Sequence, residues 1–578
     1  MGFSSLILVS LALAALIATA SAGPPYCEAS NSTCFPPDTE LAAFNKSVDG
    51  RLIKNKPYGL PCYKATYNAA ACIEIAANKG NASWRVQQPA AVMYPIWENS
   101  GGDKGCPVPP LPANGSAPAP LEGNCTLGSV SPYIVNASCV DHIVNTVKVA
   151  AKYNLRLRIK NSGHDYFGRS SSQGALTIWT HYMSDTELIE DFKLCGSSQT
   201  RPVVSAGPGM DVEQLYAITG KYNYVSPGGY TPTVGVSGGF VLGGGTGPLG
   251  SIFGMGVDNV VQFEVVTADG KVKVANGCTN VDLFWALRGG GGAFGVVTRA
   301  YFKVYPAFDA VNTFFGQITC PDNASYANLI SQMVDLQVPL RDAGQVGIWQ
   351  AYGKQRAVTI ISLHPLRSNA TEDPSMAQKL YNPALGANRC NSTSKVAQFT
   401  GSSSWNDAYK AFILPIILKN GPVGINIFNL SRLVSYDLMK SKEKLQKVKE
   451  FIANLDPDIS FLWQNDVGEA STKVAPDATS VHPDWRNAFA FVNIPVVWPW
   501  DGNANLGFSK SDRLMWSASK AFDTWTAYSN EDMNFERDFQ QSFWGENYPR
   551  LIQIKEEVDP DLLFQCPSCV GSEATVRQ

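Results

Sequence analysis

The chain contains 578 residues, which is too many for one ordinary hydrophobic core, so two or more domains are expected. Apolar residues make up 45% and charged residues 16% of the sequence, a balance that fits a folded globular protein and excludes a disordered one. The formal net charge is −3 and gives no support to nucleic-acid binding, which needs a basic surface.

The first 22 residues have the pattern of a secretory signal peptide. An apolar run from Leu6 to Ile17 precedes the small residues Ala20-Ser21-Ala22, which predict cleavage before Gly23. A membrane anchor is the alternative, but the run is short for a span, and no later stretch is long and apolar enough to cross a bilayer. We therefore expect no stable membrane span and a protein that is secreted or held in the lumen of a secretory or vacuolar compartment.

Glycosylation sequons favour the same compartment. Asn-X-Ser/Thr triplets begin at Asn31, Asn45, Asn81, Asn114, Asn124, Asn136, Asn323, Asn369, Asn391 and Asn429. None begins between residues 137 and 322, the stretch assigned below to cofactor binding, where a bulky glycan would do harm.

The thirteen cysteines all follow the signal segment, and seven of them precede residue 140. In an oxidising compartment these seven predict disulfides that pin a loop-rich N-terminal region. The odd total leaves at least one thiol unpaired or bonded to another chain, and the connectivity stays open. Cys566 and Cys569 have redox CxxC spacing, but they lack a thioredoxin-like βαβ setting, which favours a structural role.

The character of the sequence changes at residue 131. Residues 23–125 are rich in Pro, Gly, Asn and Cys, and residues 106–120 predict an extended surface loop. Tyr133–Asn136 predicts a strand, residues 140–153 have helical apolar spacing, and residues 156–160 alternate like a strand. This β-α-β unit ends in a glycine-containing loop, a position that favours ligands because strand ends expose backbone N–H groups.

The rest of the chain divides into three parts. Between residues 203 and 305 short strands alternate with glycine clusters, and residues 260–274 predict a hairpin that turns at Asp269-Gly270. Residues 310–525 predict a separate domain of antiparallel strands and helices, and the chain then returns to the first domain from Tyr528 to Phe564. Within the inserted part we expect strands at 344–352, 358–363, 425–434 and 488–497, and a helix at 438–455.

Two glycine runs fit the dinucleotide pattern G-x-G-x-x-G, at residues 245–250 and 290–295. The first contains Pro248 and precedes another strand, and the second lies too deep in the chain for a leading Rossmann unit, so an NAD site is disfavoured. The sequence has no HExxH motif, no zinc-like Cys/His spacing and no G-x-S-x-G elbow, and we therefore expect neither a metal site nor a serine hydrolase.

Two distant stretches carry a family resemblance. These are Arg158-Ile-Lys-Asn-Ser-Gly-His164-Asp-Tyr-Phe-Gly-Arg-Ser-Ser171 and the tail from Asn547 to Phe564. Together they resemble the vanillyl-alcohol-oxidase type of flavoenzyme in its berberine-bridge-enzyme-like branch, over residues 130–305 and 525–570. The signal segment, the sequons and the Cys-Pro-Ser-Cys tail are most similar to secreted fungal members, which include isoamyl alcohol oxidase-like enzymes and tailoring oxidases of secondary metabolism.

The resemblance implies an α+β fold of the PCMH type, with a two-piece FAD-binding domain and an inserted antiparallel-sheet substrate domain. The implied segments are the signal peptide 1–22, the Cys/Pro-rich region 23–125, the FAD-binding domain 126–308, the substrate domain 309–525 and the C-terminal segment 526–578. It also implies that FAD is bonded covalently to His164. The other residues expected to bind the cofactor are Lys160, Asn161, Ser162, Gly163, Thr231, Thr233, Val234, Gly235, Gly238, Gly239, Val297, Asn547 and Tyr548.

Three positions refine this expectation. Many relatives carry a second flavin link through a cysteine in a Cys-Pro-Thr-Val pattern, and Thr231 replaces that cysteine here, so only the histidyl link is expected. Val234 falls where family members distinguish oxidases from dehydrogenases, since a small side chain there leaves room for oxygen and leucine tends to block it; the resemblance therefore implies an oxidase. Thr246 replaces the His or Tyr that is usual in the glycine-rich run.

Tyr528 is the predicted catalytic residue. In relatives the Tyr-X-Asn segment, here Tyr528-Ser529-Asn530, places a phenol near the reacting carbon. A phenol has an ordinary pKa of about 10, so it needs a helpful neighbour to act as a base at neutral pH. The alternative is an aromatic core residue.

We therefore predict an FAD-dependent oxidoreductase that removes hydride from an alcohol-type carbon of a small molecule and reduces O2 to H2O2. The alternatives are an oligosaccharide oxidase, an FAD dehydrogenase with another acceptor, and a non-catalytic secreted glycoprotein of the same fold. Substrate identity and oligomeric state stay open.

Overall fold

The computed structural model describes residues 26–99, 105–367, 373–386, 389–500, 504–533 and 536–573. The predicted signal peptide and the sequon at Asn369 lie outside these ranges. Within them, no helix is both long enough and apolar enough to cross a membrane.

The first two sheets belong to the region predicted to bind the cofactor. The strands of the four-stranded sheet, in spatial order, are Leu52–Lys54, Tyr133–Asn136, Leu176–Trp179 and Leu157–Lys160. The strands of the five-stranded antiparallel sheet are Thr186–Lys193, Thr200–Ala206, Val296–Lys303, Val260–Val266 and Val272–Asn276. A two-stranded ribbon pairs Tyr224–Val225 with Tyr305–Pro306.

The predicted β-α-β unit is confirmed. Helix Val140–Lys152 connects the strands Tyr133–Asn136 and Leu157–Lys160, and strand Leu176–Trp179 lies between those two and pairs in parallel with both. The helix buries an i, i+4, i+7 stripe against the sheet, made by Ile143, Val147 and Ala150. The loop that carries the predicted flavin-binding histidine therefore leaves the carboxyl edge of a parallel sheet.

The hairpin predicted over residues 260–274 is also confirmed. Strands Val260–Val266 and Val272–Asn276 pair in antiparallel register, with Val266 opposite Val272. The hydroxyl of Thr267 donates to Asp269 at 2.6 Å and closes the turn.

The inserted region contains a seven-stranded antiparallel sheet. Its strands in spatial order are Asn391–Thr400, Ala310–Thr319, Ala357–Leu366, Val346–Tyr352, Ser460–Gln464, Ala488–Asn493 and Ser431–Ser435. A separate ribbon pairs Asn426–Phe428 with Val496–Trp498.

Helices accompany these sheets along the described chain. The α-helices cover Asp38–Ser47, Ala69–Ala77, Ala82–Arg85, Ile96–Asn99, Val140–Lys152, Val212–Lys221, Gly250–Phe253, Val281–Leu287, Asn323–Asp335, Gln337–Asp342, Met376–Leu385, Ser404–Ala408, Leu414–Asn420, Tyr436–Lys440, Lys442–Ala453, Glu469–Thr472, Ala504–Phe522, Phe539–Trp544 and Tyr548–Val558. Short 3₁₀ turns cover Leu60–Cys62, Lys64–Thr66, Gly256–Asn259, Pro483–Asn487 and Gly545–Asn547, and π-helical turns cover Val236–Phe240 and Tyr409–Ile413.

Three elements of the inserted region differ from the sequence expectation. The strand expected at 488–497 is divided between Ala488–Asn493 in the seven-stranded sheet and Val496–Trp498 in the separate ribbon. The single strand expected at 425–434 is two strands in different sheets, because the chain turns at Asn429, whose buried amide donates to the side chain of Asn493 and the carbonyl of Glu531. The helix expected at 438–455 is broken at Ser441, whose hydroxyl accepts from the Lys444 amide and caps the second helix.

Alternation along the seven-stranded sheet gives it two different faces. One face carries Trp349, Phe461 and Trp463, which are buried in a core against helices such as Asn323–Asp335 and Lys442–Ala453. The other face turns its alternate residues toward the cofactor-binding region, where they line a large cavity. The inserted region is thus a lid of β-sheet over the first domain.

Six disulfides cross-link the described chain, and Cys139 is left as a free, exposed thiol. They pair Cys27–Cys34, Cys62–Cys72, Cys106–Cys125, Cys195–Cys278, Cys320–Cys390 and Cys566–Cys569. Six of the seven early cysteines therefore pin the N-terminal region as expected, and the CxxC pair is a disulfide in the C-terminal segment.

Candidate active site

A cavity of about 820 Å³ lies between the cofactor-binding region and the inserted sheet. Its walls come from the histidine loop, from residues 229–246 and 291–297, from the inner face of the sheet and from the C-terminal segment. The predicted site residues that line it are Asn161, Ser162, Gly163, His164, Thr231, Val234, Gly235, Gly238, Gly239, Val297 and Tyr528. Segments separated by more than 350 residues thus meet at one site.

His164 faces the cavity from its loop. Gly163 has φ +81°, a left-handed conformation that glycine adopts without strain, and this turn presents the imidazole. The ring Nε2 lies 2.7 Å from the hydroxyl oxygen of Thr233. Burial lowers the pKa of His164 to about 3, so the imidazole is neutral at physiological pH. A neutral ring keeps one nitrogen lone pair available for bond formation.

The Asn161 side chain leaves no room for a Cβ atom at two positions of the neighbouring loop, and both positions are glycine. A Cβ atom at Gly235 would lie 2.3 Å from the Asn161 side chain, and one at Gly238 would lie 2.7 Å from it. Asn161 in turn donates to the carbonyl of Pro208. The backbone of the 230–239 loop thus lies close beside the histidine loop, and the Gly235 amide donates to the Ser162 hydroxyl at 3.4 Å.

A second group of glycines faces open space. A Cβ atom at Gly239, Gly291 or Gly292 would meet no atom within 4 Å. These backbone segments line the cavity and leave their peptide groups accessible to a ligand. They form a cradle along which a long, flat molecule can lie.

Two arginines give the cavity a cationic region. Arg158 and Arg169 both line it, and burial lowers the pKa of each to about 10, so both stay charged at neutral pH. The Nε atom of Arg158 is buried without a hydrogen-bond partner in the described part of the chain. Since a buried cationic donor needs a partner, this region suits an anionic group.

Tyr528 lines the cavity from the C-terminal segment and packs against the glycine-rich run at residues 243–247. Its hydroxyl oxygen accepts hydrogen bonds from the backbone N–H groups of Gly245 at 3.0 Å and Thr246 at 3.2 Å, and from the Asn530 side chain at 3.0 Å. Burial and the nearby Glu531 carboxyl raise the pKa of Tyr528 above its ordinary value, and this outweighs the three hydrogen bonds that lower it. The group is therefore a phenol at neutral pH.

Two buried carboxyl groups also line the cavity. Glu531 accepts hydrogen bonds from the amide of Asn493 at 2.6 Å and from that of Gln464 at 3.5 Å. Asp466 accepts the hydroxyl of Tyr230 at 2.7 Å. Burial raises the pKa of both Glu531 and Asp466 above the ordinary carboxyl range.

Sequence reasoning assigned these acids no role. Glu531 follows the Tyr-X-Asn segment directly, so its position in the chain was a usable signal. Asp466, Gln464 and Asn493 come from the inserted sheet, and nothing in their local sequence marks them as site residues.

Comparisons with known proteins match two parts of the chain to described families and match nearly all of it to known relatives. Residues 131–276 match the family described as FAD binding domain, and residues 527–570 match the family described as berberine and berberine like. An uncharacterised FAD-linked oxidoreductase of Arthroderma benhamiae is 31% identical over 98% of both chains.

This chain belongs to the berberine-bridge-enzyme-like, VAO-type family of FAD-linked oxidoreductases.

Solved structures of the family show the same fold. The VAO-type flavoprotein MtVAO713 of Myceliophthora thermophila C1 superposes with a TM-score of 0.82 and 25% identity, covering 95% of this chain and 97% of its own. A chitooligosaccharide oxidase superposes with a TM-score of 0.61 and 18% identity over 76% of this chain. The α+β PCMH-type fold inferred from the sequence is therefore confirmed.

The residues present fit FAD. The cationic region and the unpartnered Arg158 Nε suit its diphosphate, and the open cradle at Gly239, Gly291 and Gly292 suits its length. When bound, FAD supplies the redox chemistry of the site.

Four residues expected to bind the cofactor are not among those that line the cavity. Lys160 is buried, and its ammonium donates to backbone carbonyls of the N-terminal region. Thr233 reaches the site through its bond to His164. The amide of Asn547 donates to the Val481 carbonyl at 2.7 Å, and the hydroxyl of Tyr548 donates to Glu573 at 2.6 Å. The side chains of Lys160, Asn547 and Tyr548 are thus engaged by protein partners.

Proposed function

We propose that this protein is a secreted FAD-dependent oxidase that removes hydride from an alcohol-type carbon of an apolar small molecule and reduces O2 to H2O2. The observation that carries the proposal is the arrangement of the cavity. The predicted flavin-binding loops line this cavity together with a hydrogen-bonded phenol and two buried carboxyl groups. A substrate in the cavity would therefore have both a redox partner and proton acceptors among its neighbours.

The proposal includes a covalent bond between the flavin and His164. The neutral imidazole of His164 faces the cavity beside the glycine cradle, and its lone pair is free to form that bond. Thr231 lines the same cavity where relatives carry a second linking cysteine, so the histidyl bond is the single link that we propose.

The chain's own task in this reaction is to take a proton. An alcohol carbon that loses hydride leaves a protonated carbonyl unless its hydroxyl proton also departs, so a base must lie within hydrogen-bond reach. Tyr528 is our candidate in its ionised form, which it reaches by passing its own proton to the nearby Glu531 carboxylate. A neutral phenol oxygen has two lone pairs, and the three N–H donors that converge on it match a phenolate better than a phenol.

Glu531 is the second candidate for this role. Its charge helps to raise the pKa of Tyr528, and its carboxyl group accepts hydrogen bonds from the side-chain amides of Asn493 and Gln464. Its raised pKa makes it a stronger base than an exposed glutamate when it is ionised. The carboxylate can therefore accept the proton of the phenol or that of the substrate.

The cavity walls support an apolar substrate. Ile348, Ile361 and Leu462 line it from the sheet, and Ile416–Leu418 line it from the neighbouring helix. Burying such aliphatic surface favours apolar ligands by about 25 cal/mol per Å². Thr231 in place of a cysteine also argues against the oligosaccharide alternative, because oligosaccharide oxidases commonly have two flavin links.

Oxygen use is supported by Val234, which is half-buried and lines the cavity from the flavin-facing loop. Its two methyl groups would leave more room beside the flavin ring than a leucine would.

Secretion is supported by the disulfides and by the sequons. Asn429 is the exception, because it is only 4% exposed and its amide already donates two hydrogen bonds, so a glycan has no place there.

The deciding experiment is spectroscopic. The protein should be purified from the medium of a secreting host and its absorbance followed while candidate substrates are added without oxygen, with aliphatic alcohols compared against oligosaccharides. We expect a yellow protein that is bleached by an apolar alcohol and releases peroxide when air is admitted. A colourless protein would favour the non-catalytic alternative, and bleaching without peroxide would favour a dehydrogenase.

A further inference from the structure

A segment of the N-terminal region packs against the histidine loop, and this contact was not predicted from the sequence. Residues 88–97 of the N-terminal region, called here the strap, pass along the outside of the loop. The ammonium of Lys160 donates to three strap carbonyls, those of Gln88 at 2.9 Å, Pro89 at 3.0 Å and Ala91 at 2.6 Å. All three ammonium donors are therefore used by one short segment.

The strap also contacts the loop directly. The Met93 amide donates to the Gly163 carbonyl at 3.0 Å, and the Trp97 indole donates to the Asp165 carbonyl at 3.2 Å. The first of these bonds joins two backbones, so no side-chain substitution removes it. The Tyr94 ring stacks on Tyr166 at 4.0 Å between centroids and meets His164 edge-on at 6.5 Å. Every position from Gly163 to Tyr166 thus touches the strap.

The strap is itself held in a fixed shape. Arg85 is fully buried, pairs with Glu98 and donates through Nε to the Val92 carbonyl at 2.9 Å. The Glu98 carboxylate accepts the Val92 amide at 2.8 Å. Arg85 precedes the strap and Glu98 follows it, so this buried ion pair joins the two ends of the strap. Removing one partner of such a pair is strongly destabilising. The strap is therefore held in place at both ends where it lies against the histidine loop.

We infer that the strap positions His164 for its covalent bond to the flavin, and that Lys160 is the positioning residue that ties the loop to the strap. The inference rests on the histidyl link proposed above. Lys160 ends the strand that leads into the loop, and His164 follows four residues later, so a shift at Lys160 moves the imidazole. Bond formation between two held groups is sensitive to such shifts, because a displacement of about 1 Å can cost about 100-fold in rate.

The test compares covalent with total flavin in the full-length protein. Lys160→Met keeps most of the side-chain volume and removes the three donors. Each protein is precipitated with acid, flavin in the pellet and in the supernatant is measured, and the time course of attachment is followed after FAD is added. We expect attachment about 100-fold slower in Lys160→Met, while FAD that binds without a covalent bond is retained. Lys152→Met, which changes an exposed lysine, is the matched control and should behave as the native protein.

The possible outcomes separate the two hypotheses. If native flavin is covalent but not on His164, or if His164→Ala keeps covalent flavin, the proposed link fails. If the native link is on His164 and Lys160→Met attaches flavin at the native rate, the strap inference is overturned. A purely structural role would lower thermal stability and total flavin together without changing the covalent share. If Lys160→Met does not fold, Trp97→Phe provides the test, because it removes the hydrogen bond from the Trp97 indole to the Asp165 carbonyl. Slower flavin attachment in this variant supports the inference, and attachment at the native rate refutes it.

Discussion

Replacing Tyr528 by phenylalanine removes one oxygen atom and leaves three N–H donors pointing at the vacated position. Two of these are the backbone amides of Gly245 and Thr246, and the third is the side chain of Asn530. An unpaired buried donor costs about 1–3 kcal/mol. Because the cavity beside the oxygen can admit water, we expect a loss in the free energy of unfolding near the lower end, about 3 kcal/mol for the three.

The catalytic effect should be separable from this loss of stability. Without the phenol, flavin reduction should fall by about 10²–10⁴-fold, the usual range for a lost acid–base group. Anaerobic stopped-flow absorbance with a working substrate measures that step alone. Tyr305→Phe is the control, because its hydroxyl donates to Asn259 at 2.7 Å in the same domain and does not line the cavity.

One result would refute the reasoning. A Tyr528→Phe protein that binds flavin and reduces it at the native rate would remove the phenol from the mechanism, and the proton acceptor would have to be Glu531 or another group. A slow variant with a matching slow Tyr305→Phe control would point to a general loss of packing.

The other predictions concern the carboxylate and the flavin loops. Burial raises the pKa of Glu531, so its carboxylate becomes protonated and unable to accept a proton as pH falls. The rate of flavin reduction should therefore decline toward low pH. Glu531→Gln should reduce flavin slowly and without this decline, whereas an unchanged pH profile in that variant would contradict a role for this group. His164→Ala should release all its flavin into the supernatant on acid precipitation, and yellow pellets would disprove the histidyl link. Peptide mass spectrometry should find no cysteinyl flavin adduct in the native protein, and a Thr231→Cys variant should gain one. Val234→Leu should slow reoxidation by air-saturated buffer more than it slows flavin reduction; equal slowing of both steps would show that the side chain does not control oxygen access.

The parts of the fold predicted from sequence are those fixed by neighbouring residues. Helix Val140–Lys152 has an apolar stripe on one side, and the hairpin at residues 260–276 has a turn pair between alternating runs, so each pattern is complete within one segment. The histidine loop was identified by its resemblance to a known family, because a glycine and a histidine after a strand do not mark a cofactor site by themselves. The inserted strands were placed well where they alternate and poorly at Asn429, where a buried amide with distant partners redirects the chain.

The parts of the site that sequence reasoning missed depend on distant contacts. Asp466 and Gln464 lie at the end of a strand and look like ordinary polar residues until the sheet places them over the cavity. The surroundings of Lys160 were missed for the same reason. The family resemblance assigned this lysine to cofactor binding, but its ammonium donates to carbonyls that lie about 70 residues earlier in the chain.

The two faces of the seven-stranded sheet have a consequence for how such enzymes change specificity. Adjacent residues such as Ile348 and Trp349, or Leu462 and Trp463, belong to different environments, one facing ligand and the other facing the helical core. A library that varies only the cavity-facing positions can therefore alter which molecules fit while the interior that keeps the lid folded is left intact. Such changes would fall at every second position of a few strands and would leave the predicted flavin-binding loops untouched.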